Sequence, residues 1–123
     1  MVKQFLITVA RNAILGRWIG WVFEHMSNLL PVKRVIETDE LIVFWHPTPS
    51  YEVHLLIVPK KAVKDFSSMD ANGSFWLVLP SVVQDLVQKF ELVHKGYRLI
   101  TNTGEYQDVK QLHFHLMSGE TIK

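Results

Sequence analysis

The chain has 123 residues, of which 48% are hydrophobic and 20% are charged, and its formal net charge is +1. This length accommodates one domain with a substantial core but not two, and the balanced charge gives no reason to expect nucleic acid or an anionic membrane as the main partner. The absence of cysteine excludes disulfides, thiolate zinc sites and a cysteine nucleophile, and it is consistent with a reducing compartment.

The apolar stretches near the N-terminus are too short or too interrupted for a secretion signal or a membrane span. The first run reaches only about six residues before Arg11, below the roughly 7–15 residues of a signal sequence. Arg17, Glu24 and His25 interrupt the next stretch, so it does not form a continuous apolar helix across a bilayer. We therefore predict a soluble, cytoplasmic protein without a transmembrane segment.

Apolar residues at three- and four-residue spacing predict a helix over residues 10–29, ending before Pro31. The stripe consists of Ile14, Leu15, Trp18, Ile19, Val22, Met26 and Leu29. It is typical of a helix packed on the domain core, although Trp18, Trp21 and Arg17 would also suit an interface with a partner or a membrane surface.

The rest of the chain alternates between strand-like and helical patterns. Strands are predicted for residues 32–38, 41–46, 53–61, 97–102 and 111–118. The main helical region is 67–96, with Asp70 as N-cap and Gly96 as C-terminal stop, and Pro80 either kinks this helix or marks its true start. The short turns between neighbouring strands favour antiparallel pairing. The order predicts one α+β domain over residues 1–123, with its core at about 30–119.

Two histidines in the last predicted strand raise a chemical question. His113 and His115 alternate with apolar residues, so a strand places both rings on one face, beside Gln111. Three uses fit this row: a metal site completed by His54 or His46, acid–base or nucleophilic catalysis, and hydrogen-bonded structural histidines. No carboxylate stands at a spacing that favours the metal. The other two histidines, His25 and His94, are predicted to be surface residues.

The wider pattern resembles the histidine-triad (HIT) superfamily of nucleotide hydrolases and transferases, and its Hint-like branch in particular. The motifs that carry the resemblance are "LPVKRVIETDELIVFWHPTPSYEVHLLIVPKK", "YRLITNTG" and "QLHFHLMSG". It implies an α+β fold with a five-stranded antiparallel sheet, a homodimer and chemistry that requires no metal or other cofactor. Purine nucleoside phosphoramidates and dinucleoside polyphosphates are the substrates it implies.

The resemblance also implies a role for individual residues. Gln111 holds the first place of the triad, where the family has histidine. His113 holds the second place, which attacks the α-phosphorus and forms a covalent nucleotidyl-histidine, and His115 holds the third, which contacts the phosphate and the leaving group. His54 matches a histidine that supports the triad from behind. Asn102 matches an asparagine near the ribose and phosphate.

Further positions match the family's nucleotide-binding residues, and some depart from them. Phe44 matches an aromatic residue of the base pocket, and Gln107 is assigned to nucleotide binding. His46 stands where an acidic residue usually holds the ribose hydroxyls, and Asp108 stands where a phosphate-binding serine is usual, with Lys110 available to neutralise it. The leading hypothesis is a HIT phosphohydrolase or nucleotidyl transferase, and the alternatives are a nucleotide-binding module without turnover and a metal-dependent function.

Overall fold

The computed structural model describes residues 33–122, so the helix predicted for residues 10–29 lies outside the described part of the chain. The remainder has the predicted α+β architecture, with one helix and five strands. In chain order the elements are β1 (Arg34–Glu37), β2 (Leu41–Trp45), β3 (Tyr51–Pro59), α1 (Phe75–Lys89), β4 (Arg98–Thr101) and β5 (Phe114–Thr121). Two short 3-10 turns cover Phe66–Ser68 and Gly104–Tyr106.

The five strands form one antiparallel sheet in the order β1-β2-β3-β5-β4. The last strand, β5, therefore inserts between β3 and β4. His115 consequently lies opposite Leu56 of β3 on one side and Ile100 of β4 on the other. This insertion brings the C-terminal motif into the centre of the sheet.

The helix is shorter at both ends than the sequence predicts. Ser74, not Asp70, is its N-cap residue, and the Asp70 carboxylate instead accepts a hydrogen bond from the backbone N–H of Asn72 at 3.0 Å. Asp and Asn side chains often satisfy local turns in this way, which competes with capping. Pro80 lies inside the helix rather than at its start.

The C-terminal end of α1 explains why the stop at Gly96 is wrong. Glu91 has a positive φ of 56°, and the backbone N–H groups of Glu91 and Leu92 donate to the carbonyls of Gln88 and Val87 at 3.1 and 2.8 Å. This pair of bonds is the Schellman pattern, which usually has glycine at the left-handed position. Leu92 is 1% exposed, so burial of its side chain accompanies the early stop.

The predicted start of the last strand is also wrong, because β5 begins at Phe114 and not at residue 111. The neighbouring strand β4 ends at Thr101, which lies opposite Phe114. Gln111 and His113 therefore precede the ladder, and other contacts hold them.

The two faces of the sheet differ in composition. Side chains alternate across a strand, and one set packs against α1 to form the core. That set comprises Leu41 and Val43 of β2, Leu55 and Ile57 of β3, and Phe114 and Leu116 of β5. The opposite set, which includes Phe44, His54 and His115, occupies the other face.

Candidate active site

A cluster of imidazole rings lies on the sheet face opposite α1. His54 is in β3, His115 is in the adjacent β5, and His46 directly follows β2. The backbone N–H of His46 donates to the carbonyl of His54 at 2.9 Å, which continues the pairing of the two strands by one residue. Three neighbouring strands therefore hold the three rings on a rigid support.

The rings are close enough to contact one another. The ring centroids of His46 and His54 lie 4.3 Å apart, and those of His113 and His115 lie 5.1 Å apart. Nε2 of His54 and Nδ1 of His115 share a hydrogen bond of 3.0 Å. His113 and His115, which the sequence predicts to be side by side, are brought together, and His54 joins them as expected.

Backbone groups determine which nitrogen of each ring carries the proton. The backbone N–H of Ser50 donates to Nδ1 of His54 at 3.0 Å, so in the neutral ring Nε2 carries the proton and donates to Nδ1 of His115. That leaves the proton of His115 on Nε2. The chain of bonds therefore presents a ring N–H of His115 as a donor.

His113 has the opposite arrangement. Its Nδ1 lies 2.7 Å from the backbone carbonyl oxygen of Gln111, and because a carbonyl only accepts, Nδ1 carries the proton. Nε2 of His113 is then left with a free lone pair. The hydroxyl of Thr101 donates to the backbone carbonyl of His113 at 2.8 Å, which holds this residue just before the strand begins.

All four rings are electrically neutral at neutral pH. Burial, and to a smaller extent the neighbouring imidazoles, lower the pKa of His46, His54 and His115 from 6.5 to about 4. Burial also lowers the pKa of His113, although the Gln111 carbonyl and the Asp108 carboxylate oppose that effect by favouring the protonated ring. The result is an uncharged cluster.

Gln111 does not share the face of the histidines as a strand would require. Its side chain is 1% exposed and lies against the segment that follows β3. Its Oε1 accepts from the backbone N–H of Val63 at 3.0 Å, and its Nε2 donates to the carbonyls of Pro59 and Lys61 at 3.2 and 2.9 Å. The amide therefore anchors the backbone, while its own carbonyl orients His113.

Three of these rings are enough in number to bind a metal ion, but their hydrogen bonds do not fit that role. One ring nitrogen from each of His46, His54 and His115 lies within 4.8 Å of the others. A metal-bound histidine normally donates its other ring N–H to an acceptor. Here the other nitrogens of His46 and His54 accept from the backbone N–H groups of Thr48 and Ser50 at 3.0 Å, which disfavours a metal at this cluster.

Two residues predicted to bind a nucleotide belong to the strands or strand ends of the same sheet as the cluster. Phe44 is 3% exposed and belongs to the same cross-strand row as His115, through Leu56. Asn102 directly follows β4 and is half-buried. These positions lie on either side of the histidines along the sheet.

The loop before β5 carries the other two predicted contacts. Gln107 is 4% exposed and its Nε2 donates to the carbonyl of Lys64 at 2.7 Å, whereas its buried Oε1 has no hydrogen-bond partner among residues 33–122. Asp108 is exposed and acts electrostatically on His113. Lys110 donates to the carbonyls of Gly104 and Gln107 at 3.2 and 3.0 Å, so its ammonium group stabilises the loop backbone.

Some groups that shape the site have no signal in the sequence. The backbone N–H groups of Thr48 and Ser50 set the tautomers of two rings, and the Thr101 hydroxyl holds the backbone at His113. Any residue except proline supplies such an N–H, so residue type does not reveal it. The "HPTPS" stretch indicates a loop but not the direction of its amides.

A family model described as the HIT domain matches residues 28–122. The chain belongs to the HIT family. A HIT-like relative from Helicobacter pylori (strain ATCC 700392 / 26695), described as uncharacterized, is 31% identical over 102 residues, which are 80% of this chain and 96% of the relative.

Solved structures agree with this assignment. A structure described as a Hit Like Protein superposes with a TM-score of 0.71 and 27% identity, covering 85% of this HIT protein and 99% of that chain. A HIT family hydrolase from Clostridium thermocellum has a TM-score of 0.71 and 26% identity, covering 91% and 94%. Among residues 33–122 of this HIT protein, no helix is long and apolar enough to cross a membrane.

Proposed function

We propose that this HIT protein cleaves a nucleotide conjugate at its α-phosphate, through a covalent nucleotidyl intermediate on Nε2 of His113. The observation that carries the proposal is the 2.7 Å hydrogen bond from Nδ1 of His113 to the Gln111 carbonyl. It leaves the Nε2 lone pair free on a neutral ring. A neutral nucleophile approaches the negative oxygens of a phosphate without charge repulsion.

In the first step, Nε2 of His113 forms a bond to phosphorus while the bond from phosphorus to the leaving group breaks. The leaving group departs with the electron pair and takes up a proton from water. The ring N–H of His115, 5.1 Å from His113 between ring centroids, donates a hydrogen bond to the phosphate oxygens and the leaving atom without losing its proton. Oriented donors that stabilise a developing negative charge contribute typically ~10²–10³-fold to a rate.

In the second step, water attacks the phosphorus and gives up a proton to solvent, the bond to His113 breaks with its electron pair returning to Nε2, and the nucleotide is released. A second nucleophile in place of water would make the reaction a transfer. His54 acts through His115 by donating to its Nδ1 at 3.0 Å, so it is a positioning residue. Phe44 and Asn102 contact the base and the sugar, and Gln107 and Asp108 line the phosphate side.

Gln111 does not weaken this proposal, although it replaces a triad histidine. Its side chain is committed to the backbone of residues 59–63, so it is not required to move a proton. The group that serves catalysis is its carbonyl, which every residue type provides. The similarity to the HIT family hydrolase from Clostridium thermocellum further supports a hydrolase.

The fold also supports the homodimer that the resemblance implies. Among residues 33–122, β4 is at the edge of the sheet, with Leu99 40% exposed and the preceding Tyr97 46% exposed. An unpaired strand edge with apolar side chains favours pairing with another strand. A second copy of the chain is the partner that we propose for this edge.

The test uses an adenosine phosphoramidate as substrate and measures the initial rate of AMP release. We expect turnover by the wild-type protein and a loss of more than about 10³-fold in His113→Ala, because the variant lacks the nucleophile. His94→Ala is the matched control, since His94 is exposed on the surface, and we expect it to retain the wild-type rate.

Two results would contradict the proposal. AMP release that persists in His113→Ala would exclude the covalent intermediate at this residue. Thermal stabilisation of the wild-type protein by AMP without any product from several conjugates would instead indicate a nucleotide-binding module.

A further inference from the structure

The loop between β2 and β3 has few backbone donors. It reads "HPTPS" over residues 46–50, and its two prolines have no backbone N–H. Beyond His46, the amide donors of this loop are therefore those of Thr48 and Ser50. The amide of Thr48 donates to Nδ1 of His46 at 3.0 Å. The amide of Ser50 donates to Nδ1 of His54 at 3.0 Å. Each of these donors thus depends on an imidazole nitrogen that loses its lone pair when the ring takes up a proton.

His54 is the more constrained of the two acceptors. It is 5% exposed, and both of its ring nitrogens are engaged, because Nε2 shares a 3.0 Å hydrogen bond with Nδ1 of His115. Ser50 in turn connects the loop to the end of β5, since its carbonyl accepts from the backbone N–H of Ile122 at 3.0 Å.

Protonation of His54 is incompatible with the bond to Ser50. An imidazolium ring carries an N–H at both nitrogens and has no acceptor left, so the Nδ1–H of His54 would face the backbone N–H of Ser50. One of the two donors must move. His54 lies within β3, which pairs with β2 on one side and β5 on the other, whereas Ser50 lies in the loop, so the loop is the part that moves.

The surroundings of His54 supply no negative charge to a protonated ring. Aromatic and imidazole rings pack on it from the neighbouring segments, with centroids at 4.3 Å for His46, 5.9 Å for Tyr51 and 5.2 Å for His115. The carboxylate closest in sequence, Glu52, pairs with Lys95 at 3.5 Å, and Asp108 acts on His113. Burial, followed by the charge of a protonated His115, lowers the pKa of His54 to about 4.

We propose that residues 46–50 form a pH-sensitive switch, which is closed while His54 is neutral and detaches from the histidine face when His54 takes up a proton. The switch is a property of the fold, and it operates without a bound substrate. It is therefore independent of the reaction proposed above.

The direction of the pH dependence follows from the two protonation states. The pKa of His54 is about 4 in the closed loop and returns towards 6.5 when the loop opens and water solvates the ring. The open form binds more protons between these values, so closure weakens as the pH falls from 6.5 to about 4. From pH 7 to pH 5 the ratio of open to closed loop is expected to rise about 20-fold.

Amide hydrogen exchange of the full chain, followed by NMR at pH 7 and pH 5, tests the switch. After correction for the intrinsic exchange rate, the protection factor of the Ser50 amide is expected to fall about 20-fold. The amide of Leu92 is the internal reference, because it donates to the carbonyl of Val87 at 2.8 Å and belongs to the core on the other face of the sheet. Its protection is expected to stay constant.

His54→Asn separates the titration from the hydrogen bond. The Asn amide oxygen can accept from Ser50 near the position of Nδ1 but does not titrate, so the Ser50 amide is expected to keep its protection at pH 5. His94→Asn is the matched control at an exposed histidine, and it is expected to show the wild-type fall.

The wild-type profile serves by itself if His54→Asn does not fold. Protection of Ser50 is expected to begin to fall near pH 6.5, which indicates a histidine, whereas a carboxylate would produce its fall near pH 4.

Three results would overturn the switch. The first is equal protection of Ser50 at pH 7 and pH 5 in the wild-type protein. The second is a fall of the wild-type size in a folded His54→Asn variant. The third is an equal fall at Leu92, which would indicate unfolding of the whole domain. None of them bears on the release of AMP, so the proposed function is tested separately.

Discussion

The two faces of the central sheet are built from the same strands but serve different purposes. On one face, leucine, isoleucine, valine and phenylalanine side chains pack against α1, and Leu55, Leu116 and Leu86 are 0% exposed. On the other face, His54 and His115 alternate with these residues and carry a chain of hydrogen bonds. Neighbouring residues of one strand therefore have different surroundings, because Leu55 belongs to the core and His54 to the candidate site.

This division explains how uncharged imidazoles are maintained near the middle of a small protein. The strands that pack against α1 also hold the rings in a buried or half-buried environment. Burial, together with the neighbouring imidazoles, lowers the pKa of three rings to about 4. Substitutions on each face are expected to separate the two contributions.

The largest expected change in stability comes from the apolar face. Leu55→Ala removes a fully buried side chain from the core, and such truncations destabilise by about 2–5 kcal/mol because a cavity remains. The free energy of unfolding, measured by urea titration, is expected to fall by this amount. Leu77→Ala is the control, since Leu77 is on α1 but 82% exposed, and less than about 1 kcal/mol is expected there. Equal losses in the two variants would contradict the assignment of this face as the core.

An intermediate effect is expected at the junction of the two faces, where Gln111 holds the backbone. Gln111→Ala removes three hydrogen bonds and leaves buried backbone groups unsatisfied, which costs about 2–3 kcal/mol. Because the carbonyl of the same residue orients His113, AMP release is also expected to slow at temperatures where the variant is folded.

Gln84→Ala provides the comparison for that substitution, because Gln84 is exposed on α1. It is expected to change neither the urea midpoint by much nor the rate. A Gln111→Ala variant that is destabilised but turns over substrate at the wild-type rate would show that the amide stabilises the fold without positioning the nucleophile.

The smallest expected effect concerns the pH dependence on the histidine face. Burial lowers the pKa of His113 below 6.5, and Asp108 raises it in opposition. Asp108→Asn removes that charge, so the pKa of His113 falls further. Because the neutral ring is the proposed nucleophile, activity is expected to be lost as the pH falls through this pKa, and the acid limb of kcat/KM is expected to shift to lower pH.

The pH profile of Asp85→Asn is the control, because Asp85 is an exposed residue of α1. Its acid limb is expected to match that of the wild-type protein. An acid limb that moves to higher pH in Asp108→Asn would have the wrong sign and would exclude this carboxylate as a group that favours protonated His113.

Much of this protein's secondary structure can be predicted from local sequence patterns. Apolar runs rich in β-branched residues predict the strands around Ile42 and Leu55. Alternating apolar residues predict the strand around Leu116, because a pleated strand directs successive side chains to opposite faces. The motifs around His54 and His113 were sufficient to predict the family and the five-stranded sheet. The end of α1 was not predictable in the same way, since Glu91 occupies a left-handed position that usually indicates glycine.

Only the tertiary structure decides which partner each polar group has. Sequence spacing places His113 beside His115, but only strand pairing brings His54 within 3.0 Å of a residue 61 positions away. The direction of the Gln111 side chain and the backbone donors to His46 depend on loops that carry no pattern of their own. The sequence therefore determined the strands and the candidate nucleophile. Long-range strand pairing decided that His54 meets His115, and the folded path of the nearby backbone at Thr48, Ser50 and Gln111 decided which nitrogen of His46, His54 and His113 holds the proton.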